Sequence, residues 1–527
     1  MKISKLFLFI FIMSLECQIN FGYRILGLFP MNIKSCFMMY KNVMKHLAKR
    51  GHQVDVISQF PLDKPMSNYT DIYMKAPFDD LVNNFTLEGG DDYNGFNQFK
   101  SYGTETGADA CDTILKQDQM QRLLKNPPND PPYDLIIVEI FTATCTIAFG
   151  KHLNVPVIGI TTSVWPWSHS MVGNPENLAI SPNTFLNYHN RMNFQQRFYN
   201  FLYTLNTHLI LDYFRSPIDQ VTKKYFGSNA PGIKELEQSL ALLLVNSHPS
   251  LNDPLPRVPA WIEVGGLHVQ DDGPEISADH QKWMDESTDG FIYFTFGSMM
   301  MIESLPPHVI EIFYKSFAKI APVRIFMKIP RVEMLPPGLP KNVRTFTWIS
   351  QIKVLKHKNI KAFITHGGLM GTQEAIAYGI PMIGIALFMD QYHNIDRYVQ
   401  KKIAIRLDYE NINEKNLDFA LKEMLYNPTY KNEAKELSIK FLDRPTSALD
   451  TACYWVEYIG RHGSKALRSP TLDYTWWQLQ LLDIYAVLLL AITMSIIIFI
   501  MTIRYFITKV CYKKNKKSQS HKGKKFN

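Results

Sequence analysis

The chain has 527 residues, 46% of them hydrophobic, which is more than one ordinary domain encloses, so two or more cores are expected. Its formal charge of +8 gathers at one end: residues 504–527 hold nine Lys or Arg and no Asp or Glu, leaving 47 basic against 48 acidic residues elsewhere. A near-neutral body lacks the broad positive field that nucleic acid requires, so no nucleic-acid partner is expected.

The chain opens with "MKISKLFLFIFIMSL", a basic start and an apolar run, read as a signal peptide over 1–22 cleaved near Gly22. Strands are expected at Arg24–Phe29 and Gln53–Ser58, with a helix Phe37–Arg50 between them ending at Gly51. Further strands follow at Asp134–Ile140, Val155–Ile160 and Leu240–Asn246. The triplets Asn68-Tyr-Thr and Asn84-Phe-Thr are glycosylation sequons and fit a lumenal body. The proline-rich "NDPLPRVPAW", Asn252–Trp261, marks a boundary between two α/β domains, 23–252 and 253–429.

In the second domain, strands at Phe291–Phe296, Val323–Lys328, Val343–Thr347, Ala362–Thr365, Met382–Ala386 and Ala404–Leu407 alternate with helices. The helices are expected at Pro307–Ala321, Gly371–Tyr378, Gln391–Lys401 and Asn413–Leu425. Strands as apolar throughout as "LIIVEI" and "MIGIAL" suit parallel sheets covered on both faces, and the alternation is that of an α/β protein. Residues 430–482 hold helices expected to pack back on the first domain, then approach a membrane.

Ile484 to Ile503 is 20 residues long without a charge, enough to cross a hydrocarbon core of about 30 Å. Trp476, Trp477 and Tyr485 flank it, and the basic run follows it directly, so 484–503 is read as a transmembrane helix and 504–527 as a cytosolic tail. The body then lies on the other side of the membrane. The terminal "KKFN" resembles a dilysine endoplasmic-reticulum retrieval signal. Outside leader and tail only Cys36, Cys111, Cys145 and Cys453 remain, which leaves room for one bridge of open pairing and no disulfide framework.

The stretch "FITHGGLMGTQEA" carries the most chemistry. A strand ends at His366, Gly367 and Gly368 make the turn, and a helix starts near Gly371. Ligands of parallel α/β sheets sit at the carboxyl ends of strands, and a helix N-terminus suits a phosphate. Glycines let the backbone come close, and His366 adds a donor. Glu374, one turn into the helix, is placed to accept from ribose hydroxyls; Asp390 and Gln391, after the next strand, are placed for sugar hydroxyls. Trp348 is available to stack a base, with Gln351 three positions on.

In this combination the sequence resembles the UDP-glycosyltransferases, in particular the membrane-anchored, UDP-glucuronosyltransferase-like enzymes of animals, with most texture shared with insect members. The resemblance extends through "RILGLFP", "LAKRGHQVDVIS", "IEVGGLHV", "FIYFTFGSM" and "RPTSALDTACYWVEY", nearly the whole chain. It implies a GT-B fold: two Rossmann-like domains facing a cleft, acceptor in the first and UDP-sugar in the second. By that similarity Trp348 stacks uracil, Gln351 contacts the uridine, Ser298 and His366 meet the diphosphate, Glu374 the ribose, and Asp390 with Gln391 the sugar. UDP-sugar is then a co-substrate; no cofactor and no metal are expected.

Two positions depart from the family. Met370 stands where a polar residue is common, so phosphate contacts there rest on backbone amides. In "LFPMNIKSCFMMY" the usual Ser-His pair reads Ser35-Cys36, and no histidine occurs from Gly22 to Lys45. A general base near neutral pH is most simply a histidine. The candidates in its place are Cys36, whose thiol a helix N-terminus lowers; Glu139, ending a strand where the family places its acidic member; and His169 in "WPWSHSM", past another strand end. Thr144 stands where insect relatives often carry a further Asp. Two classes of function follow. One is an inverting hexosyltransferase, glucose favoured, acting on a small lipophilic acceptor. The other is a weak or inactive member that binds ligand or partners active relatives, and homo- or hetero-oligomers through the span stay open.

Overall fold

The computed structural model describes residues 22–78, 82–86, 104–183, 185, 186, 188 and 190–523. The expected leader and the terminal lysine pair therefore lie outside the described residues, Gly22 excepted. The chain forms two units, one up to Ser469 and the other from Pro470 on.

The first unit is built on two sheets. The amino-terminal sheet contains β1 (Arg24–Phe29), β2 (Gln53–Ser58), β3 (Tyr69–Tyr73), β4 (Leu135–Glu139), β5 (Val157–Thr161), β6 (Leu242–Val245) and β7 (Trp261–Glu263). They lie in the order 3-2-1-4-5-6-7, every pairing parallel. The second sheet contains β8 (Phe291–Thr295), β9 (Arg324–Lys328), β10 (Val343–Phe346), β11 (Ile360–Thr365), β12 (Met382–Gly384) and β13 (Ala404–Arg406). Its order is 10-9-8-11-12-13, again wholly parallel. In both, the chain starts at a central strand, winds to one edge, then returns to the other. That reversal leaves a crevice at the carboxyl ends, where ligands bind in such sheets.

The apolar strands follow from burial on two sides. Along β8, Ile292 and Phe294 join one core cluster while Phe291 and Tyr293 join another, each through the strand's alternation of faces. A third core fills the first lobe. Seven helices position the rest: α1 (Lys34–Lys49), α2 (Phe194–Phe226), α3 (Leu369–Ala377), α4 (Gln391–Gln400), α5 (Pro428–Leu442), α6 (Ala448–His462) and α7 (Leu482–Gly523).

Several expectations are corrected. The first sheet runs past the expected boundary at 252, because β7 adds to its edge after the proline-rich connector. The helices beyond residue 430 divide between the lobes. α5 stays with the second, where the Ser438 hydroxyl donates to the Ala377 carbonyl at 2.7 Å and Phe441 enters its core. Only α6 packs on the first, burying Ala452, Cys453, Val456 and Ile459 there. It also bonds α1 and its exit: His46 to Asp450 at 2.8 Å, Arg50 to Glu457 at 2.6 Å and His52 to Glu457 at 3.0 Å. His52 is thus buried and structural. Cys111 and Cys145 form a disulfide, which settles the pairing the sequence leaves open.

The second unit is dominated by α7, which does not end at Ile503: the same helix continues through the basic run to Gly523. Leu482–Lys517 is long and apolar enough to cross a membrane.

Candidate functional site

The site residues of the second lobe stand at the carboxyl ends of five strands. Gly297 and Ser298 follow β8, Lys328 ends β9, Trp348 follows β10, His366-Gly367-Gly368 lead from β11 into α3, and Asp390 precedes α4 after β12. The His-Gly-Gly turn has a local cause. Gly367 has φ +89°, and a Cβ on it would stand 2.6 Å from Ile395 Cδ1. A Cβ on Gly368 would stand 2.6 Å from His366 Nε2, and one on Gly297, with φ +80°, 2.8 Å from His366 Cε1. The imidazole therefore lies wedged between two glycines of neighbouring strand ends. Its buried Nδ1 has no hydrogen-bond partner among the described residues. Desolvation, then the nearby Lys328 charge, lower its pKa to about 4, so the ring is neutral at physiological pH.

Beside the turn, α3 presents the first-turn amides that an α-helix leaves without intrahelical partners. One turn on, Glu374 accepts from Gln351 Nε2 at 2.6 Å, so these two candidate uridine and ribose contacts form one unit. Desolvation raises Glu374 to about 7, opposed by that bond. Gly371 lies against the same Gln351 amide, where a Cβ would approach to 3.0 Å. Trp348 is 45% exposed, as a stacking platform must be.

Asp390 accepts from Asn394 at 3.0 Å, and from Ser163 of the first lobe at 3.5 Å. Desolvation raises its pKa, with both bonds opposing. Gln391 is buried and its carbonyl oxygen accepts from the Leu387 and Phe388 amides at 2.9 and 3.1 Å. It fixes the loop that carries Asp390 and keeps only its amide nitrogen for a ligand.

Met370 turns away from the phosphate cradle. Its sulfur accepts from Asn246 at 3.3 Å and its carbonyl from His268 at 3.0 Å, both reached from the first lobe and the connector. The departure from a polar residue is therefore a lobe-packing contact. A second bridge brings first-lobe residues to the Ser298 loop: the Asn83 amide donates to the Ser298 carbonyl at 2.9 Å, and Phe85 pairs with Met300. Asn84, in that bridge, and Asn68 are exposed.

Across the cleft, Glu139 ends β4 and is 4% exposed, with Oε1 accepting from the Met31 amide at 2.7 Å. Desolvation raises its pKa to about 8, with the Met31 bond opposing. Cys36, in the first turn of α1, lies 3.3 Å from the Thr162 hydroxyl. Desolvation pushes its thiol up to about 12; Thr162 lowers it, while the charges of Glu139 and Asp390 raise it further. Two carboxylates and poor solvation thus outweigh the helix terminus, which favours a small buried thiol over a thiolate at Cys36. The expectation for His169 is corrected. It is buried, stacked on Trp261 at 4.7 Å and bonded to Asn174 at 2.9 Å, with its pKa lowered by burial to about 4. Its ring is spent on packing inside the first lobe.

The sequence reading passes over two lysines. Lys328 is 5% exposed, donates to the Gly297 carbonyl at 2.6 Å and lies 5.1 Å from the Trp348 ring. Lys34, from α1, lies 4.2 Å from the same ring. A lysine buried at the end of the apolar run Ile325–Met327 in "RIFMK" is the signal that marks Lys328. The arrangement as a whole joins a neutral imidazole, helix-terminal amides and Lys328 on one wall to Lys34 and a carboxylate raised to about 8 on the other. Such a cleft can hold an anionic linker and take a proton from a bound group.

Comparison with known proteins agrees. Residues 25–518 match the family described as "UDP-glucoronosyl and UDP-glucosyl transferase". The chain is 32% identical to UDP-glycosyltransferase UGT5 of Dactylopius coccus over 507 residues, 94% of each chain. It is 34% identical to UDP-glucosyltransferase 2 of the same insect over 474 residues, 89% of this chain and 90% of that one. In fold it is similar to the crystal structure of CalG4, the calicheamicin glycosyltransferase, with TM-score 0.56 and 16% identity, covering 84% of this chain and 99% of that one. The two-sheet architecture is thus the GT-B fold.

Proposed function

The chain belongs to the UDP-glycosyltransferase family, and on that premise we propose that it moves glucose from UDP-glucose to a small lipophilic acceptor, with inversion at the anomeric carbon. The observation that carries this reading is the meeting of Asp390 with the first lobe. The carboxylate expected to hold the sugar lies 3.5 Å from Ser163, and its charge reaches Cys36 beside Glu139. The sugar end of a donor laid from Trp348 across His366 to Asp390 then faces Glu139, whose carboxyl burial raises to about 8.

In this scheme Glu139 accepts the acceptor's proton as the acceptor oxygen attacks the anomeric carbon in line. The bond to the diphosphate breaks, and UDP leaves with the electron pair. The α3 amides and neutral His366 meet the growing charge on the diphosphate. Lys328 and Lys34 add long-range stabilisation. Cys36 stays a thiol and fills the space beside Thr162. Asp390 favours glucose over glucuronate, since a second carboxylate at the sugar end would be repelled. Phenols suit Glu139 as acceptors because their protons are acidic enough for a carboxylic base.

The setting we propose is a body in the endoplasmic-reticulum lumen, glycosylated at Asn68 and Asn84, with α7 spanning the membrane and its basic end in the cytosol. The Cys111–Cys145 bridge supports an oxidising compartment. The test is transfer from labelled UDP-glucose and UDP-glucuronate, in microsomes containing the protein, to a panel of phenols and polycyclic aromatics. Transfer of glucose lost on Glu139→Ala supports the reading. Binding of either donor with no transfer to any acceptor would leave a ligand-binding protein instead.

A further inference from the structure

The connector that follows β7 grips the second lobe at α3. The loop is anchored at the end of β6, where the Val264 and Gly265 amides donate to the Val245 and Ser247 carbonyls at 2.8 and 2.9 Å. Gly266, at φ +83°, then turns the chain where a Cβ would stand 2.7 Å from Phe441 Cζ. From this fixed base the Gly266 amide donates to Gln373 Oε1 at 3.0 Å, and His268 Nε2 lies 3.0 Å from the Met370 carbonyl oxygen. A carbonyl only accepts, so Nε2 carries the proton. The His268 ring is 3% exposed and its Nδ1 has no hydrogen-bond partner among the described residues. A second proton there would be buried without an acceptor, so the imidazole stays neutral. Glu374 belongs to the same stretch of α3, one turn beyond Met370. Its Oε2 accepts from Gln351 at 2.6 Å, and its Oε1 faces His268 Nε2 at 3.9 Å. The second contact is too long for a hydrogen bond, so the ring acts there as a wall.

We propose that His268 is a positioning residue for ribose recognition. By holding the α3 turn at Met370 and closing off one side of Glu374, it keeps the free lone pairs of that carboxylate turned to the ribose hydroxyls. The preference for a ribonucleotide donor over its 2′-deoxy counterpart then depends on a residue of the interlobe connector. The inference rests on reading Glu374 as the ribose acceptor. A glutamate side chain has several staggered poses. Gln351 fixes one oxygen, rotation about that bond stays open, and the imidazole closes it. Hydrogen bonds to a carboxylate weaken steeply as they leave their preferred geometry, so a carboxylate free to turn would read the hydroxyls poorly. The neutral ring also suits the task. An imidazolium would compete with the hydroxyls for Glu374, whereas the uncharged ring leaves the carboxylate's charge to them.

The test is calorimetric titration of the detergent-purified full chain with UDP and with 2′-deoxy-UDP. Wild type is compared with His268→Gln, His268→Asn and His268→Leu, each checked for folding by its melting curve. In the wild type UDP is expected to bind about tenfold to a hundredfold tighter than 2′-deoxy-UDP, the worth of a hydrogen bond to a charged group. His268→Gln, whose amide reaches the Met370 carbonyl, should keep that ratio. His268→Asn is too short and His268→Leu has no donor. Both should bring the ratio to about threefold or less by weakening UDP, with 2′-deoxy-UDP affinity within about twofold of wild type. A ratio kept in these two variants, whether both affinities fall in parallel or neither changes, would overturn the proposal in favour of a purely structural histidine. Should His268→Leu fail to fold, His268→Asn carries the same prediction, and a folded His268→Gln that loses the ratio overturns the proposal as well. A wild type that binds both nucleotides equally would remove the ribose premise while the donor site stands. One that binds neither would overturn the donor reading itself.

Discussion

Replacing Glu139 by glutamine removes the proposed base while keeping the oxygen that accepts from the Met31 amide. A positioned general base contributes about 10²–10⁴-fold, so kcat is expected to fall by that order. Donor binding is expected to stay within a few-fold, because Glu139 belongs to the opposite lobe. The wild-type rate has a sign fixed by the raised pKa of about 8. Only the carboxylate form takes a proton, so the rate is expected to climb about tenfold per pH unit between 6 and 7.5, then level above 8. Stability moves the other way. With the folded-state pKa raised to about 8 from 4.5, the stability tied to the protonated acid is complete below about 4.5 and is lost as pH rises through about 8. The 3.5-unit difference corresponds to roughly 5 kcal/mol at full loss. Glu139→Gln escapes that loss, so it should melt like wild type at pH 5 and above it at pH 8.5. Initial rates with labelled UDP-glucose from pH 5.5 to 9, together with melting curves at the two pH values, measure both effects. A glutamine variant with half the wild-type kcat, or a wild-type rate flat from pH 6 to 8, would refute the reasoning.

Other expectations follow from the same geometry. Cys36→Ala should keep transfer at a comparable rate with an unchanged pH profile, since a thiol at about 12 takes no proton at neutral pH; a lost alkaline limb in the rate assay would contradict this. Gly297→Ala places a Cβ 2.8 Å from His366 Cε1 at φ +80°. At a strain of about 1–3 kcal/mol it should raise KM for the donor roughly tenfold or more, and donor titration at fixed acceptor reads the change. The Cys111–Cys145 bridge closes a separation of 34 residues, so the double serine variant should lose roughly 3–4 kcal/mol of stability. Thermal melting under non-reducing conditions checks the loss.

Much of the architecture is legible because each inner strand is covered on both faces and must be apolar along its length. β3 and β7 escape for opposite reasons. β3, "YTDIY", is an edge strand with polar residues among its aromatics, and β7 is three residues long behind a run of prolines. The 33-residue α2 escapes because its inward side is Asn and Thr and its outward side Phe and Leu, which reverses the periodic signal of a surface helix. At the site, residue types and spacing place His366, Glu374 and Asp390 at strand ends, since the parallel sheet imposes that order. The protonation of Cys36 and the packing of His169 depend on neighbours 126 and 92 positions away, Thr162 and Trp261, which sequence spacing does not bring together. Lys328 hides as the last letter of a strand until the Trp348 ring is placed beside it.

Calorimetric titration of the detergent-purified full chain with UDP-glucose tests the central claim most directly. The prediction is saturable binding, one donor per chain, weakened about tenfold to a hundredfold by Trp348→Ala through loss of base stacking. Absence of heat in the wild type under conditions where a relative responds, or equal binding in the Trp348→Ala variant, would contradict it.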